Sequence, residues 1–242
     1  MQFIGNRNFQ ASGESENTQE FEVYGDNNMN NPWENINLSD YESHMALDSV
    51  QQLQAMNQMM KRQLNQYDIQ SAMILGIAGG NGLEHVDTEK LNKIYGVDIN
   101  LEYLKTTEKR YESLSGILEC LCVDLLSEAE KLPQANMLIA NLLIEYIGYE
   151  CFQKIVKVTN PQYVSCIIQI NEDSSFVSDS PYIHVFDGLE HVHHQMDEVE
   201  LQKCMNVIDY QLIQMIGYPL PNGKELVQLD FCKNINKEMN LN

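Results

Sequence analysis

The chain contains no run of about 18 apolar residues, so no transmembrane helix is expected. Its start, Met1 to Phe9, carries Asn and Arg and lacks the apolar stretch of a signal peptide. Basic residues are scarce: 15 Lys and Arg stand against 35 Asp and Glu, for a net charge of −20. Phosphate backbones and anionic membranes repel such a chain unless its cations gather into a stripe. The densest basic pieces, Lys61-Arg62 and Lys109-Arg110, sit in helical patterns and read as solvated faces. Nucleic-acid and membrane partners are therefore set aside. None of the six cysteines forms a CxxC pair. Cys120 and Cys122 lie two apart in an apolar run, on one face of a strand, and read as buried reduced thiols rather than a metal site, which predicts a cytoplasmic protein. The histidines show no HExxH or zinc-finger spacing, and no metal is expected, although Glu190, His191 and His193 lie close together.

What is present begins with Ile74-Leu75-Gly76-Ile77-Ala78-Gly79-Gly80-Asn81-Gly82-Leu83, an apolar run that breaks into a glycine-rich turn. A buried parallel strand, a tight turn and a helix N-terminus account for it, with glycines letting a ligand approach the backbone. A second apolar run, Tyr95-Gly96-Val97-Asp98-Ile99, places an acid 22 residues after Gly76. A carboxylate at a strand tip suits a ribose diol. Together these point to a nucleoside-containing cofactor.

Around them the chain alternates. Strand-like runs are Ala72–Ile77, Ile94–Ile99, Ile117–Val123, Met137–Ala140 and Tyr163–Ile170. Helical patterns fall near Leu83–Lys93, Leu101–Leu114, Ser127–Leu132 and Tyr149–Val158, with Asn100 able to cap the second. This alternation predicts an α/β fold with a mostly parallel sheet covered on both faces. Asp197-Glu198-Val199-Glu200 reads as a capping box heading a helix to about Val207. Tyr210–Ile216 and Glu225–Phe231, joined by a turn around Pro219–Lys224, read as an antiparallel hairpin. Upstream, Ser39–Glu42 reads as another capping box, heading one helix to about Leu64 with Met45, Leu47, Val50, Leu53, Met56, Met60 and Leu64 on its apolar face. Residues 1–32, polar and acidic with Arg7 the only base, read as a leader.

From about residue 70 to 232 this order resembles the class I S-adenosylmethionine-dependent methyltransferases. The resemblance implies a Rossmann-like, seven-stranded sheet with a C-terminal antiparallel hairpin, matched by Tyr210–Phe231. Residues 33–68 then form a helical cap or lid. Residues 69–235 form the core, with a substrate-side insertion at about 172–195. The implied cofactor is S-adenosyl-L-methionine. Gly76, Ala78, Gly79, Gly80 and Gly82 match the family's glycine motif, with Gly76 standing where the family has an acid. Another carboxylate or backbone carbonyls would then serve the cofactor's ammonium group. Asp98 takes the ribose position and Ile99 packs on the adenine. Asp124, followed by Leu125, takes the place of the acid that accepts from the adenine amino group, and Asn141 lies at the methionine end. For each acid the alternative is a strand-end carboxylate that caps a helix or faces solvent.

The acceptor side has three candidate segments. Tyr41-Glu42-Ser43-His44-Met45 resembles a Tyr-Glu-x-His-Met segment ahead of the core in some bacterial family members. There His44 is a candidate base and Tyr41 a positioning hydroxyl, against Glu42 as a mere capping acid and His44 as an exposed residue. Glu145 and Tyr146 follow the fourth strand. They face the acceptor, or begin the next helix with Glu145 at its positive end. Tyr182, His184 and Phe186, with Phe176, are candidates to line an acceptor pocket. The expected activity is methyl transfer to a small molecule by a monomer or homodimer. The alternatives are a binding protein for S-adenosylmethionine or S-adenosylhomocysteine without turnover, a protein-methylating variant, and a NAD(P)-dependent oxidoreductase. The oxidoreductase fingerprint fits poorly, because Ala78 and Asn81 occupy its second and third glycine positions.

Overall fold

The apolar runs become strands because both of their faces are covered. The structure, a computed structural model, describes residues 31–171 and 176–234. The expected leader thus falls almost wholly outside the described residues. Strand β1 (Ser71–Leu75) is followed by β2 (Lys93–Asp98), β3 (Leu118–Cys122), β4 (Met137–Asn141) and β5 (Tyr163–Ile170). Alternate residues of β1 serve opposite layers. Ala72 and Ile74 join Met60 and Leu64 of α2 (Gln52–Gln66) and Leu104 of α3 (Leu101–Arg110). Met73 and Leu75 join Phe152, Ile155 and Val156 of α4 (Ile144–Thr159) and Leu201 and Met205 of α5 (Glu198–Val207). Each such fully buried side chain contributes about 1.5–3 kcal/mol of transfer free energy.

The sheet has seven strands in the order β3-β2-β1-β4-β5-β7-β6, where β6 is Tyr210–Pro219 and β7 is Glu225–Lys233. β1 pairs in parallel with both β2 and β4. The chain therefore leaves β1 toward one edge and later returns to its other side, which opens a crevice at the carboxyl ends of β1 and β4. β7 runs antiparallel to β5 and to β6, so the expected hairpin is present.

Six local expectations are corrected. The long N-terminal helix is two, α1 (Leu38–Ala46) and α2, broken over Leu47–Gln51 with Gln51 at φ +54. Asp48 and Ser49 are poor helix-interior residues, and the break lets α1 turn off the line of α2. The α1 cap is Asn37, whose side chain accepts from the Ser39 amide; Ser39 and Glu42 are inside the helix and form no capping box. Asp197 does accept from the Glu200 amide, but its own amide donates to the Tyr149 hydroxyl and Glu200 pairs with Lys203, so only half of that box forms. No α-helix follows the glycine turn: Leu83–His85 is a single 3-10 turn, and Asp87 then closes an Asx turn by accepting from the Glu89 amide. Ser127–Leu132 likewise contains only a 3-10 turn, Ala129–Lys131. Finally, Cys120 is half-buried and Cys122 exposed, because β3 is an edge strand with a thinly covered face. All six cysteines are free thiols.

Candidate active site

The carboxyl ends of the central strands converge on one cleft. Gly76, directly after β1, adopts φ +63, and a Cβ there would meet the Leu143 side chain at 3.2 Å. An acid at this position would be both strained and crowded, which is the physical reason glycine fits. At the end of β2, Asp98 is buried at 8 % exposure. Its two oxygens accept from the Ala78 and Asn100 amides, each at 2.9 Å. Burial pushes its carboxyl up, partly offset by these amide bonds. Asn100 caps α3, as expected, by accepting from the Glu102 and Tyr103 amides. Asp124 lines the same cleft, but its oxygens also accept from the Leu126 amide and the Ser127 hydroxyl. Ile99 and Leu125 add apolar walls. Asn141 borders the cleft while its amide exchanges two 2.9 Å hydrogen bonds with Gln63 of α2.

The segment ahead of α1 roofs this cleft. The Asn100 side chain donates to the Trp33 carbonyl and the Tyr103 hydroxyl to the Ile36 carbonyl, which fixes Trp33 above the end of β2. The Trp33 ring stands at 83° to both Tyr41 and Tyr146, with centroids 5.8 Å and 4.9 Å away. Trp33, Tyr41, Leu142 and Tyr146 line the cleft on one side and a second, smaller chamber on the other. Leu142 holds φ +53, a strained value for leucine, at this junction. The cleft is about 100 Å³ and the chamber about 60 Å³.

The chamber holds the ionisable groups. Glu145 is 3 % exposed. Its Oε1 accepts from the Gln169 amide at 3.0 Å, whereas Oε2 has no partner among the described residues. Burial raises its carboxyl to about 7. His44 is also 3 % exposed rather than a surface residue; its Nδ1 lies 2.8 Å from the Ser180 hydroxyl, and burial lowers its basicity. His193 stacks on Phe176 with centroids 4.0 Å apart and is lowered to about 4 by burial, with His194 and Lys224 adding repulsion. Phe186 closes the floor, 4.8 Å from the His44 ring.

The fold that carries this cleft recurs in solved structures. The magnesium protoporphyrin IX methyltransferase ChlM of Synechocystis PCC 6803, with bound SAM, matches with a TM-score of 0.54 at 10 % identity over 88 % of each chain. The N-methyltransferase NodS of Bradyrhizobium japonicum WM9 matches at 0.57 and 11 % identity, over 77 % of this chain and 99 % of its own. The [4+2]-cyclase SpnF matches at 0.59 and 9 % identity, over 77 % of this chain and 82 % of its own. The chain has the class I methyltransferase fold. At sequence level no family model and no curated protein matches.

Within that methyltransferase fold the candidate residues divide. Gly76, Ala78, Asp98, Ile99, Asp124, Leu125, Asn141 and Tyr146 line the cleft. Tyr41 borders cleft and chamber, and His44, Glu145 and Phe186 line the chamber. The other candidates lie elsewhere. A Cβ at Gly80 would meet Tyr111 at 2.7 Å and one at Gly82 would meet Met60 at 2.5 Å, so these glycines serve packing. Gly79 is covered by an ion pair between Glu42 and Arg110, and Arg110 also donates to the Gly79 carbonyl. His184 is exposed and pairs with Asp187, and with Phe176 and Phe186 it lines a separate open groove of about 540 Å³ beside the chamber, whereas Tyr182 packs in the aromatic cluster around Phe186 without lining any of the three spaces. No group of three metal-binding side chains occurs among the described residues. An open groove of about 690 Å³ lies between α2 and the hairpin turn, but among the described residues Tyr218 is the only titratable one lining it. Trp33 and Leu142, which border both cleft and chamber, belong to none of the motifs in the sequence. The one available signal was that Trp33 is the only tryptophan in the chain.

Proposed function

We propose that the protein is an S-adenosylmethionine-dependent methyltransferase acting on a small-molecule acceptor. The observation that carries this choice of cofactor is the absence of an α-helix after the glycine turn. A dinucleotide places its pyrophosphate on such a helix N-terminus, where amides and dipole hold the charge. S-adenosylmethionine has no phosphate and needs no such terminus. The donor set fits it. The Asp98 carboxylate accepts from the Ala78 and Asn100 amides, with the Ile99 amide also acting on it, and keeps acceptor capacity for a ribose hydroxyl. Ile99 and Leu125 would flank the adenine, with Asp124 near its amino group. The ammonium end would rest on backbone carbonyls near Gly76, beside Asn141.

When bound, the cofactor supplies a methyl group on a positively charged sulfur. The chain's task is then alignment and exclusion of water. Trp33, Tyr41, Leu142 and Tyr146 form the partition through which the methyl and the acceptor meet. Neutral His44 and the ionised form of Glu145 are candidate proton acceptors. The cleft volume of about 100 Å³ is below the about 300 Å³ typical of small-molecule sites. Cofactor entry therefore requires the roof formed by Trp33 and α1 to move outward. The free thiols suit a reducing compartment such as the cytoplasm.

The test is calorimetric titration with S-adenosylmethionine, NAD and NADP in parallel. Micromolar binding of S-adenosylmethionine alone, about −8 kcal/mol, is expected; preference for NAD or NADP, or no binding at all, would sink the proposal. A second reading is a cofactor-dependent protein that transfers no methyl group. It is motivated by SpnF, a cyclase on the same fold. Formation of S-adenosylhomocysteine during an acceptor screen separates the two.

A further inference from the structure

We infer that the acceptor is a small aliphatic amine, taken up as its cation in a box made by Trp33, Tyr41 and Tyr146 with the carboxyl group of Glu145. This inference rests on the methyltransferase reading above and names the substrate class of that same site.

Four observations carry it. Trp33 makes perpendicular corners with Tyr41 and Tyr146, which is the arrangement of three walls of a box. Aromatic faces attract ammonium groups, most strongly where water is excluded. Among the described residues only two buried side-chain polar atoms lack a partner, Trp33 Nε1 and Glu145 Oε2, and both residues line this chamber. The free oxygen of a 3 % exposed carboxyl is an acceptor without a donor, and an ammonium N–H supplies one. Among the described residues Glu145 is also the sole acid lining the chamber, and none of those lining it is a lysine or arginine. Its two histidines are held toward the neutral form by burial. A carboxylate or phosphate acceptor would meet Glu145 as a like charge, and a hydrocarbon would leave its oxygen unsatisfied. The small volume, about 60 Å³, limits the group that enters to an amine head rather than a ring.

The chemistry balances with the groups present. The bound ammonium gives one proton to the Glu145 carboxylate and becomes a neutral amine with a free lone pair. That lone pair forms the new N–C bond as the C–S bond breaks, and the bond electrons pass to the sulfur, which loses its positive charge. The product is a methylammonium ion, and Glu145 returns its proton to water when the product leaves.

The experiment uses the full chain and three probes of similar size and different charge: isopropylammonium, isopropanol and acetate. Binding is followed by NMR titration of aromatic side-chain signals, with and without S-adenosylhomocysteine. Isopropylammonium is expected to bind at least tenfold more tightly than isopropanol, and acetate more weakly than both. In Glu145→Gln, which keeps an oxygen for the Gln169 amide but removes the charge, the preference should shrink to about twofold. Equal binding of isopropylammonium and isopropanol by the unmodified protein, or preference for acetate, overturns the inference whether or not the variant folds. If S-adenosylhomocysteine binds and the amine does not, the box is wrong and the methyltransferase reading stands. If the amine binds and S-adenosylhomocysteine does not, the box stands as a cation site and the methyltransferase reading falls.

Discussion

Burial of Glu145 has a measurable thermodynamic consequence. Its carboxyl is raised from 4.5 to about 7 in the folded protein. At about 1.4 kcal/mol per pH unit, the folded state disfavours the charged form by roughly 3 kcal/mol. Because the folded state holds the proton more tightly, it binds more protons than the unfolded chain between these two pH values. Stability contributed by the protonated carboxyl is therefore full below about pH 4.5 and is lost as pH rises to about 7. Replacement by glutamine removes this dependence and preserves the oxygen that accepts from the Gln169 amide. Urea unfolding of both proteins from pH 5 to pH 8 is the assay. The stability of the unmodified protein relative to Glu145→Gln should fall by most of that roughly 3 kcal/mol, equivalent to about 6–12 °C in Tm for a chain of this size. His44 and His193 face the same chamber and Lys224 acts on His193; both histidines are lowered, so their contributions rise with pH. They are present in both proteins and largely cancel in the difference. A constant gap between the two proteins across this range would refute a buried, protonatable Glu145.

Other expectations follow from the same geometry. Asp98→Asn should weaken S-adenosylmethionine by about 1.5–3 kcal/mol, because an NH2 replaces one charged acceptor; unchanged calorimetric affinity would remove Asp98 from the site. Gly76→Asp, which restores the family's acid, should cost about 1–2 kcal/mol of stability through its φ of +63 and should not improve cofactor affinity; a gain in affinity would contradict the crowding by Leu143. Glu42→Gln should change stability by less than about 1 kcal/mol, since the Glu42–Arg110 pair is partly exposed. It should nonetheless speed cofactor association by loosening α1, and unchanged stopped-flow rates would show that the pair does not restrain the roof. His44→Gln should lower turnover with little effect on cofactor affinity, whereas equal loss of both would make His44 a packing residue.

The strands and the terminal hairpin were legible because burial on two faces demands continuous apolar runs, and Tyr163–Ile170 matches its strand end to end. Helix boundaries were less legible. Ser39 and Asn37 are both capping residues, and only the path of the chain decides that Asn37 caps α1. The three- and four-residue spacing from Met45 to Leu64 continues through Leu47–Gln51, where the backbone does not. The turn glycines looked like ligand contacts, yet Gly80 and Gly82 are pressed by Tyr111 and Met60, which are distant in sequence.

The sequence by itself determined the order of strands, the acids at their ends and the hairpin that completes the sheet, because these depend on local pattern and on how a chain can cover a sheet. Tertiary structure alone decided that Trp33 meets Tyr146, that His44 is buried, and that one oxygen of Glu145 is left without a partner. Those properties arise from desolvation and from contacts between remote segments, and no spacing of residues along the chain encodes them singly.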